Sequence, residues 1–600
     1  MPYHLGGNKL HGKCADRIPN NSFPGRDVFV NGKNFDALQL ATRTLWEVKT
    51  DNFDTYTDDL QDIVVRSQVP KLRHERALAL ACGFDFRVGV RSEAHKEALE
   101  DEAPDLQGHI GRIPAIDIAS ANGISSALAR GYVTLASDSG HTADNQLWNS
   151  ESARNFGREQ IKKTHDVAMV ITRARYGTLP WFNYFQGGSQ GGHEALIAAN
   201  FYPEDFNGVI SGFPAYNLYT MHPGAIDYSQ ALYGAHTAAN GYSYPSQAGE
   251  GWISRAQSTA LTDAIVSVCD ALDGATDRVV SNPGHPTCRA YTARLTKHDT
   301  SNPLRCAGGA APGTGETCLS DPQIETLTRL SSRYNLPPGI TVDGGLASYG
   351  RWPFLDGAVI ASDPAHGVFN EDFGTSATSY DAFQYRMPSV GQVQLITQSL
   401  VTNPSQVIDF DFSQYADRVK TLSGWIDTSS VDYRRFRARG GKLIHYHGNS
   451  DVSITPYNSI DLYLRMTGQF VGNSRYLGQN PFWGSNDATT NAKVTQNGNV
   501  RISNGVVDDF YSFYLLPGFG HGHGYFQASV DWLTALENWV ERGIAPRNTL
   551  TMTDAGANNL GSRPVCYFPY YPKFTSTTSS DTTLASNYTC ARLDEYSYVR

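Results

Sequence analysis

The chain has 600 residues, more than one core needs, so several domains or one core with a large insertion are expected. A composition 40% hydrophobic and 18% charged excludes wholesale disorder, and no apolar run approaches the ~18 residues of a bilayer span. The formal charge of −10 argues against a nucleic-acid partner, because phosphates need a basic face.

The opening MPYHLGGNKLHGKC has no basic start followed by an apolar stretch, so no signal peptide is expected within it. Strand-like runs ending in glycine-rich turns are predicted at 132–141 (YVTLASDSGH), 181–192 (WFNYFQGGSQGG), 441–451 (GKLIHYHGNSD) and 510–524 (FYSFYLLPGFGHGHG). Helices are predicted at HEALIAANF and at DWLTALENWVERG, where Trp532, Leu533, Leu536, Trp539 and Val540 recur at helical spacing. Strands alternating with helices point to a mainly parallel sheet. Between 216 and 429 regular alternation gives way to Gly, Ser, Thr and Pro. The expected division is 1–215 and 430–600 as the two parts of one core, with 216–429 an inserted lid. The polar tract Thr575–Thr583 reads as a surface loop.

Eight cysteines (Cys14, Cys82, Cys269, Cys288, Cys306, Cys318, Cys566 and Cys590) form no CxxC pair and no zinc-ligand pattern. Their even number reads as disulfides, and a loop of about 20 residues such as Cys269 with Cys288 would close contributes roughly 3 kcal/mol in the chain-entropy model. Disulfides imply an oxidising compartment, so a secreted or periplasmic location is expected.

Gly187-Gly188-Ser189-Gln190-Gly191 is the chain's GxSxG. It sits between a strand-like and a helix-like run, the setting of a nucleophile elbow, although a tight glycine turn with an incidental serine would read the same way. A serine hydroxyl needs a base held by an acid. In that fold the order is Ser, acid, His, each following a strand, which fits Ser189, Asp451 and His521. The 262 positions between Ser189 and Asp451 (451 − 189) exceed what adjacent strands need, and the insertion accounts for them. His523 competes with His521 as base. His447, in a predicted strand, reads equally as a pocket-lining residue or a satisfied core histidine. Asp270, Asp273 and Asp277 crowd around Gly274, an oxygen-rich loop suited to a hard cation such as calcium or simply an acidic solvated turn.

Together LARGYVTLASDSGH, GGSQGGHEALIAANFYPEDFNGVISGFPA, CDALDGATDRVVSNP, FRARGGKLIHYHGNSD, LLPGFGHGHG and ENWVERGIAP resemble the tannase and feruloyl esterase family over roughly 120–600. The resemblance implies an α/β-hydrolase core with a large lid, hydrolysing esters of aromatic carboxylic acids without an organic cofactor. It implies Ser189, Asp451 and His521 as triad and the Gln190 backbone N–H as one oxyanion donor. It implies structural Ca2+ held by the carboxylates of Asp270, Asp273 and Asp277 and the carbonyls of Ala275 and Val279. The implied disulfides are Cys14–Cys82, Cys269–Cys288, Cys306–Cys318 and Cys566–Cys590.

The chain departs from the family pattern in three places. Gly188 and Gly522 stand where members carry cysteines that tie the Ser and His loops together. EDEAPDLQGHIGRIPAIDIASANG replaces the glycine-rich segment that gives the second oxyanion donor, leaving Gly108, Gly111 or Gly123 as substitutes. Residues 20–110 match poorly, and Arg278 replaces a calcium-loop glycine. Arg386 is a candidate partner for a second substrate carboxylate, against the ordinary role of a solvated surface arginine. The readings left open are a broader lipase or polyester hydrolase, an acyltransferase, and a non-catalytic calcium-stabilised binding protein. A small-molecule ester is the expected partner, with neither nucleic acid nor membrane.

Overall fold

The computed structural model describes residues 15, 18, 21–23, 25–40, 43–49, 51, 53, 56–90, 92–106, 110–112, 127–137, 150–233, 250–313, 315–358, 390–399, 405–408, 410–467 and 507–594. The chain divides into two compact units, Met1–Tyr132 and Val133–Arg600. The expected stretch 1–215 is therefore not one half of the hydrolase core. Its first part has its own sheet and its own apolar core, which the sequence pattern did not separate.

In the first unit, β1 (Val28–Val30) and β2 (Lys33–Phe35) form a hairpin closed by Asn31-Gly32, both at positive φ as a two-residue turn of this hand needs. β3 (Ala37–Gln39) runs antiparallel to β4 (Thr44–Lys49), and β5 (Asp85–Val90) and β6 (Ile110–Arg112) continue the sheet in parallel. Parallel neighbours need a crossover, supplied by α1 (Asp58–Ala81) and α2 (Glu93–Glu102). Val65, Val69 and Leu72 of α1 bury one helical stripe with Phe86, Val88 and Val90 of β5. Glu47 is buried too. Burial, then the charge of Asp36, push its carboxyl up to about 7 against the pull of Lys49.

The second unit is built on a parallel sheet of β7 (Tyr184–Gly188), β8 (Gly208–Gly212), β9 (Lys442–Gly448) and β10 (Tyr511–Leu516), side by side in chain order. Every side chain of β8 and β10 is buried, as expected of a sheet covered on both faces. Before β7 runs α3 (Gln160–Tyr176). α4 (Gln190–Phe201) follows it and buries Ala195 to Ala199 completely. After β10, α11 (Trp532–Arg542) buries Trp532, Leu536 and Trp539 as its spacing predicts, with Leu533 and Val540 partly covered. The run predicted as a strand at 132–141 is not one where it is described. Residues 132–137 belong to no strand, Val133 and Leu135 are half exposed, and 138–141 lie outside the described residues.

Between β8 and β9 the chain leaves the sheet and forms a helical body: α5 (Leu218–Tyr233), α6 (Arg255–Cys269), α7 (Pro286–Thr292), α8 (Asp321–Leu330) and α9 (Ala416–Ile426). It has its own apolar core, including Tyr219, Leu261, Ile265, Leu327, Phe354 and Leu422. Capping boxes start α6 (Ser254, Gln257) and α8 (Ser320, Gln323), and the two glutamine side chains hydrogen bond at 2.9 Å, locking the helix starts together. Disulfides Cys269–Cys288 and Cys306–Cys318 brace it. α10 (Pro456–Met466) then follows β9, and the C-terminal part adds the antiparallel pairs β11 (Leu550–Asp554) with β12 (Ser562–Val565) and β13 (Tyr570–Phe574) with β14 (Tyr588–Arg592). Cys566–Cys590 ties them, and Thr575–Thr583 is the mostly exposed connection from β13 to β14. The fourth expected pair is not formed: Cys82 is a free, exposed thiol at the end of α1, and Cys14 lies outside the described residues. Among the described residues no helix is long and apolar enough to cross a membrane.

Candidate active site

Ser189 sits between β7 and α4 with φ 60° and ψ −120°, a conformation that costs a non-glycine residue on the order of 1–3 kcal/mol and turns its side chain out of the strand. Its backbone is held from both sides. The Ser189 N–H donates to Gly212 O at 3.0 Å, and Ser189 O accepts from the N–H groups of His193 and Ala215. A side chain at Gly192 would collide with Gly212 O, so glycine there lets the helix start close to β8.

Asp451 follows β9 and His521 follows β10, so three strand ends at the carboxyl edge of the sheet bring the residues together. His521 Nδ1 lies 2.9 Å from Asp451 Oδ2, and its Nε2 lies 2.8 Å from Ser189 Oγ. With the Nδ1 proton directed at Asp451, Nε2 accepts from the serine hydroxyl. Asp451 is completely buried, and Oδ1 accepts from the N–H groups of Ser453 (2.9 Å) and Ile454 (2.8 Å). Burial opposes its ionisation. The charge of His521 and hydrogen bonds from His447 and His521 outweigh that and hold the carboxyl well below the usual range.

His447 is not a pocket residue. It is fully buried, with Nδ1 2.6 Å from Ser459 Oγ, Nε2 2.8 Å from Ile454 O, and Nε2 3.3 Å from Asp451 Oδ2. It packs behind the acid, with its strand position facing Ser459 of α10. His523 Nδ1 lies 2.9 Å from His521 O, which leaves His521 as the imidazole on Ser189. Gln190 is the first residue of α4, so its N–H is one of the helix-start amides without an intrahelical acceptor. Its side-chain Nε2 lies 2.9 Å from His193 Nδ1, while His193 Nε2 lies 2.8 Å from Ile426 O. Burial pushes His193 down to about 4, so the ring is neutral. Arg386, Gly108 and Gly123 lie outside the described residues, and Gly111 belongs to β6 of the first unit.

Sequence reasoning missed Phe213. It follows β8 with φ 32°, and its ring lies 4.8 Å from that of His521, edge to face, and 6.1 Å from that of Phe519. Its signal was indirect: glycines at both 188 and 522 leave room that some bulky side chain must fill.

The acidic loop is buried rather than solvated. Asp270 and Asp273 are 4% and 2% exposed. Asp273 accepts from the N–H groups of Ala275 (3.0 Å) and Ser281 (2.9 Å), and Asp277 from that of Val279 (3.1 Å). Burial pushes Asp273 up to about 7, and Asp270 Oδ1 is buried with no hydrogen-bond partner. Arg563, 1% exposed, donates to Asp277 Oδ2 at 2.7 Å, so one carboxylate already has a cation. The described trio of acidic or His ligands within 4.8 Å of one another is His165, Asp166 and Asp205, whose Asp166 and Asp205 are both paired with Lys162.

Residues 107–591 match the family described as tannase and feruloyl esterase, and residues 1–112 match a family of unknown function, DUF6310. The chain is 30% identical to an uncharacterized esterase of Agrobacterium fabrum, over 81% of this chain and 78% of that protein. It is 24% identical to mono(2-hydroxyethyl) terephthalate hydrolase of Piscinibacter sakaiensis, over 78% and 75%. The solved structure of feruloyl esterase B from Aspergillus oryzae superposes with a TM-score of 0.51 at 21% identity, covering 75% of this chain and 76% of that one. At that identity the likeness bears on the fold, an α/β-hydrolase-like one. The sheet, the elbow and the matches along most of the length lead to one conclusion: this chain belongs to the tannase and feruloyl esterase family, a family of carboxylic ester hydrolases.

Proposed function

We propose that the second unit hydrolyses carboxylic esters of aromatic acids through a serine acyl-enzyme. The observation that carries this reading is the continuous hydrogen-bonded line from Asp451 through His521 to the strained Ser189. His521, oriented by Asp451, takes the Ser189 proton as Oγ attacks the ester carbonyl. The oxyanion forms beside the Gln190 N–H, at the positive end of α4. The alcohol leaves with the proton from His521, and water deprotonated by His521 then releases the acid. The aromatic acyl group is supported by the named substrates of relatives, and the helical body between β8 and β9 is the lid over the site in this reading.

The loop Asp270–Val279 is the proposed calcium site. Its buried, unpartnered Asp270 Oδ1 and desolvated Asp273 suit a hard cation, with Asp277 and the carbonyls of Ala275 and Val279 completing the set. The ion would brace the loop and play no part in bond breaking. Three disulfides favour a secreted or periplasmic location. A serine-directed phosphonate tests the nucleophile: one adduct at Ser189 is expected, absent in His521→Ala. Labelling elsewhere, or none, would count against it.

A further inference from the structure

The first unit buries a group of ionisable side chains that ester hydrolysis does not use. Glu47 and Lys49 are two residues apart on β4 and so share one face of the strand. Asp36 immediately precedes β3, and its Oδ2 accepts from the N–H of Val48, the residue between them, at 2.7 Å. Lys49 Nζ lies 2.8 Å from Glu47 Oε1. Glu75, from α1, completes the group through Lys33, whose Nζ lies 2.9 Å from Glu75 Oε1 and 3.4 Å from Glu47 Oε2. Asp36, Glu47 and Glu75 are 7%, 6% and 7% exposed. Three carboxylates and two ammonium groups thus share this buried cluster. Glu75 Oε2 is buried without a hydrogen-bond partner, and Glu47 Oε2 has only the Lys33 ammonium at 3.4 Å. Buried carboxylate oxygens left open in this way cost stability unless a cation completes them.

The donor set is too small for a closed metal cage but suits a magnesium-like ion, which keeps several waters and takes one or two carboxylates plus phosphate oxygens of a substrate. Lysine beside such a pair is a phosphate-binding point charge. The helix that supplies Glu75 also carries Arg66, Lys71, Arg73 and Arg76 within eleven residues, the first three of them exposed, with Arg66 paired to Asp62 and Arg73 to Asp105. Clustered cations of this kind follow a nucleic-acid backbone.

We propose that the first unit is a second catalytic domain, a divalent-cation-dependent phosphodiesterase acting on nucleic acid, with Asp36 and Glu47 as cation ligands and Lys49 facing the scissile phosphate. The step is hydrolysis. A bond forms between a water oxygen and phosphorus, one ester P–O bond breaks, the water's proton passes to solvent, and the departing oxygen takes a proton from solvent. Phosphodiester plus water gives a phosphomonoester and an alcohol, with no change of oxidation state. Lys49 offsets the charge that builds on the phosphoryl oxygens. Nothing in this reaction depends on the ester-hydrolase reading of the second unit.

The test uses the full chain with plasmid DNA, single-stranded DNA and single-stranded RNA, in Mg2+ or Mn2+ and in chelator. Cleavage of at least one polymer with metal is expected, abolished by chelator and reduced about 100-fold or more in Glu47→Gln and in Lys49→Met. Mn2+ binding followed by electron paramagnetic resonance should be lost in an Asp36→Asn, Glu47→Gln double variant that keeps the wild-type circular dichroism. Ester turnover should be unchanged in all of these. No cleavage of any polymer, or cleavage equal in wild type and Glu47→Gln, would overturn the proposal. A Glu47→Gln protein that melts higher, with Mn2+ binding absent even in wild type, would mark the group as a structural ion network and overturn it too.

Discussion

The ring of Phe213 occupies the space that a side chain at Gly188 would need: a Cβ built at 188 would lie 2.7 Å from Phe213 Cζ. From the other side a Cβ at Gly522 would lie 3.7 Å from the same atom. One aromatic ring thus wedges between the residue before the nucleophile and the residue after the base, where a disulfide is the family pattern. In Phe213→Ala we expect kcat to fall about 10- to 100-fold with KM nearly unchanged, because His521 loses its edge-to-face support and small misplacements are costly. Phe213→Tyr or Phe213→Leu should recover most of the rate. Steady-state kinetics of the three variants checks this.

The same contact predicts non-additivity. Gly188→Cys should destabilise the wild-type protein yet be tolerated in the Phe213→Ala background, with a coupling of about 1–3 kcal/mol by denaturant unfolding. Additive effects would mean that the ring is free to move aside.

Asp451→Asn should leave the fold intact and lower kcat by about 10³- to 10⁴-fold, because an amide no longer fixes the Nδ1 proton of His521 toward position 451. Ser459→Ala, which removes a partner of both His445 and His447, should cost far less rate and show mainly as a lower melting temperature.

His193 sets a pH dependence. Its folded pKa is depressed to about 4 from an ordinary 6.5, so the unfolded chain takes up a proton that the folded chain refuses. The contribution is fully present above about pH 6.5 and is lost as pH falls toward 4, at most about 3 kcal/mol in all. In His193→Gln that part of the acid sensitivity should vanish, so the stability gap between wild type and variant should narrow from pH 7 to pH 4. A constant gap would contradict it.

Chelation should lower the melting temperature of calcium-loaded protein without abolishing the core transition, and Asp270→Ala should melt like the chelated wild type and gain nothing from added calcium. Equal melting curves for protein supplied with calcium and for the same protein shown to be stripped of the ion by chelator would remove the site.

Much of the site was legible because strand ends are local features. GGSQG between WFNYF and HEALIAANF announces an elbow, and Asp451 and His521 each sit a few residues beyond an apolar run. Three things were not legible for physical reasons. The boundary at Tyr132 leaves no mark in composition, since both units alternate strands and helices of ordinary content. His447 alternates with its strand neighbours, and which face meets α10 is decided by packing over distance. Phe213 is one aromatic among many, and its role depends on two absent side chains 25 and 309 positions away (213 − 188 and 522 − 213). The pairing of Cys82 was expected from family pattern, and no local feature of α1 supported it.

Acid release from a panel of aromatic esters (gallate, ferulate, hydroxybenzoate and terephthalate monoesters), measured for wild type and Ser189→Ala side by side, bears most directly on the account. Turnover of at least one ester by wild type, reduced to background in Ser189→Ala with unchanged melting, is the predicted result. Equal turnover by both proteins, or none by wild type on any ester, would contradict it.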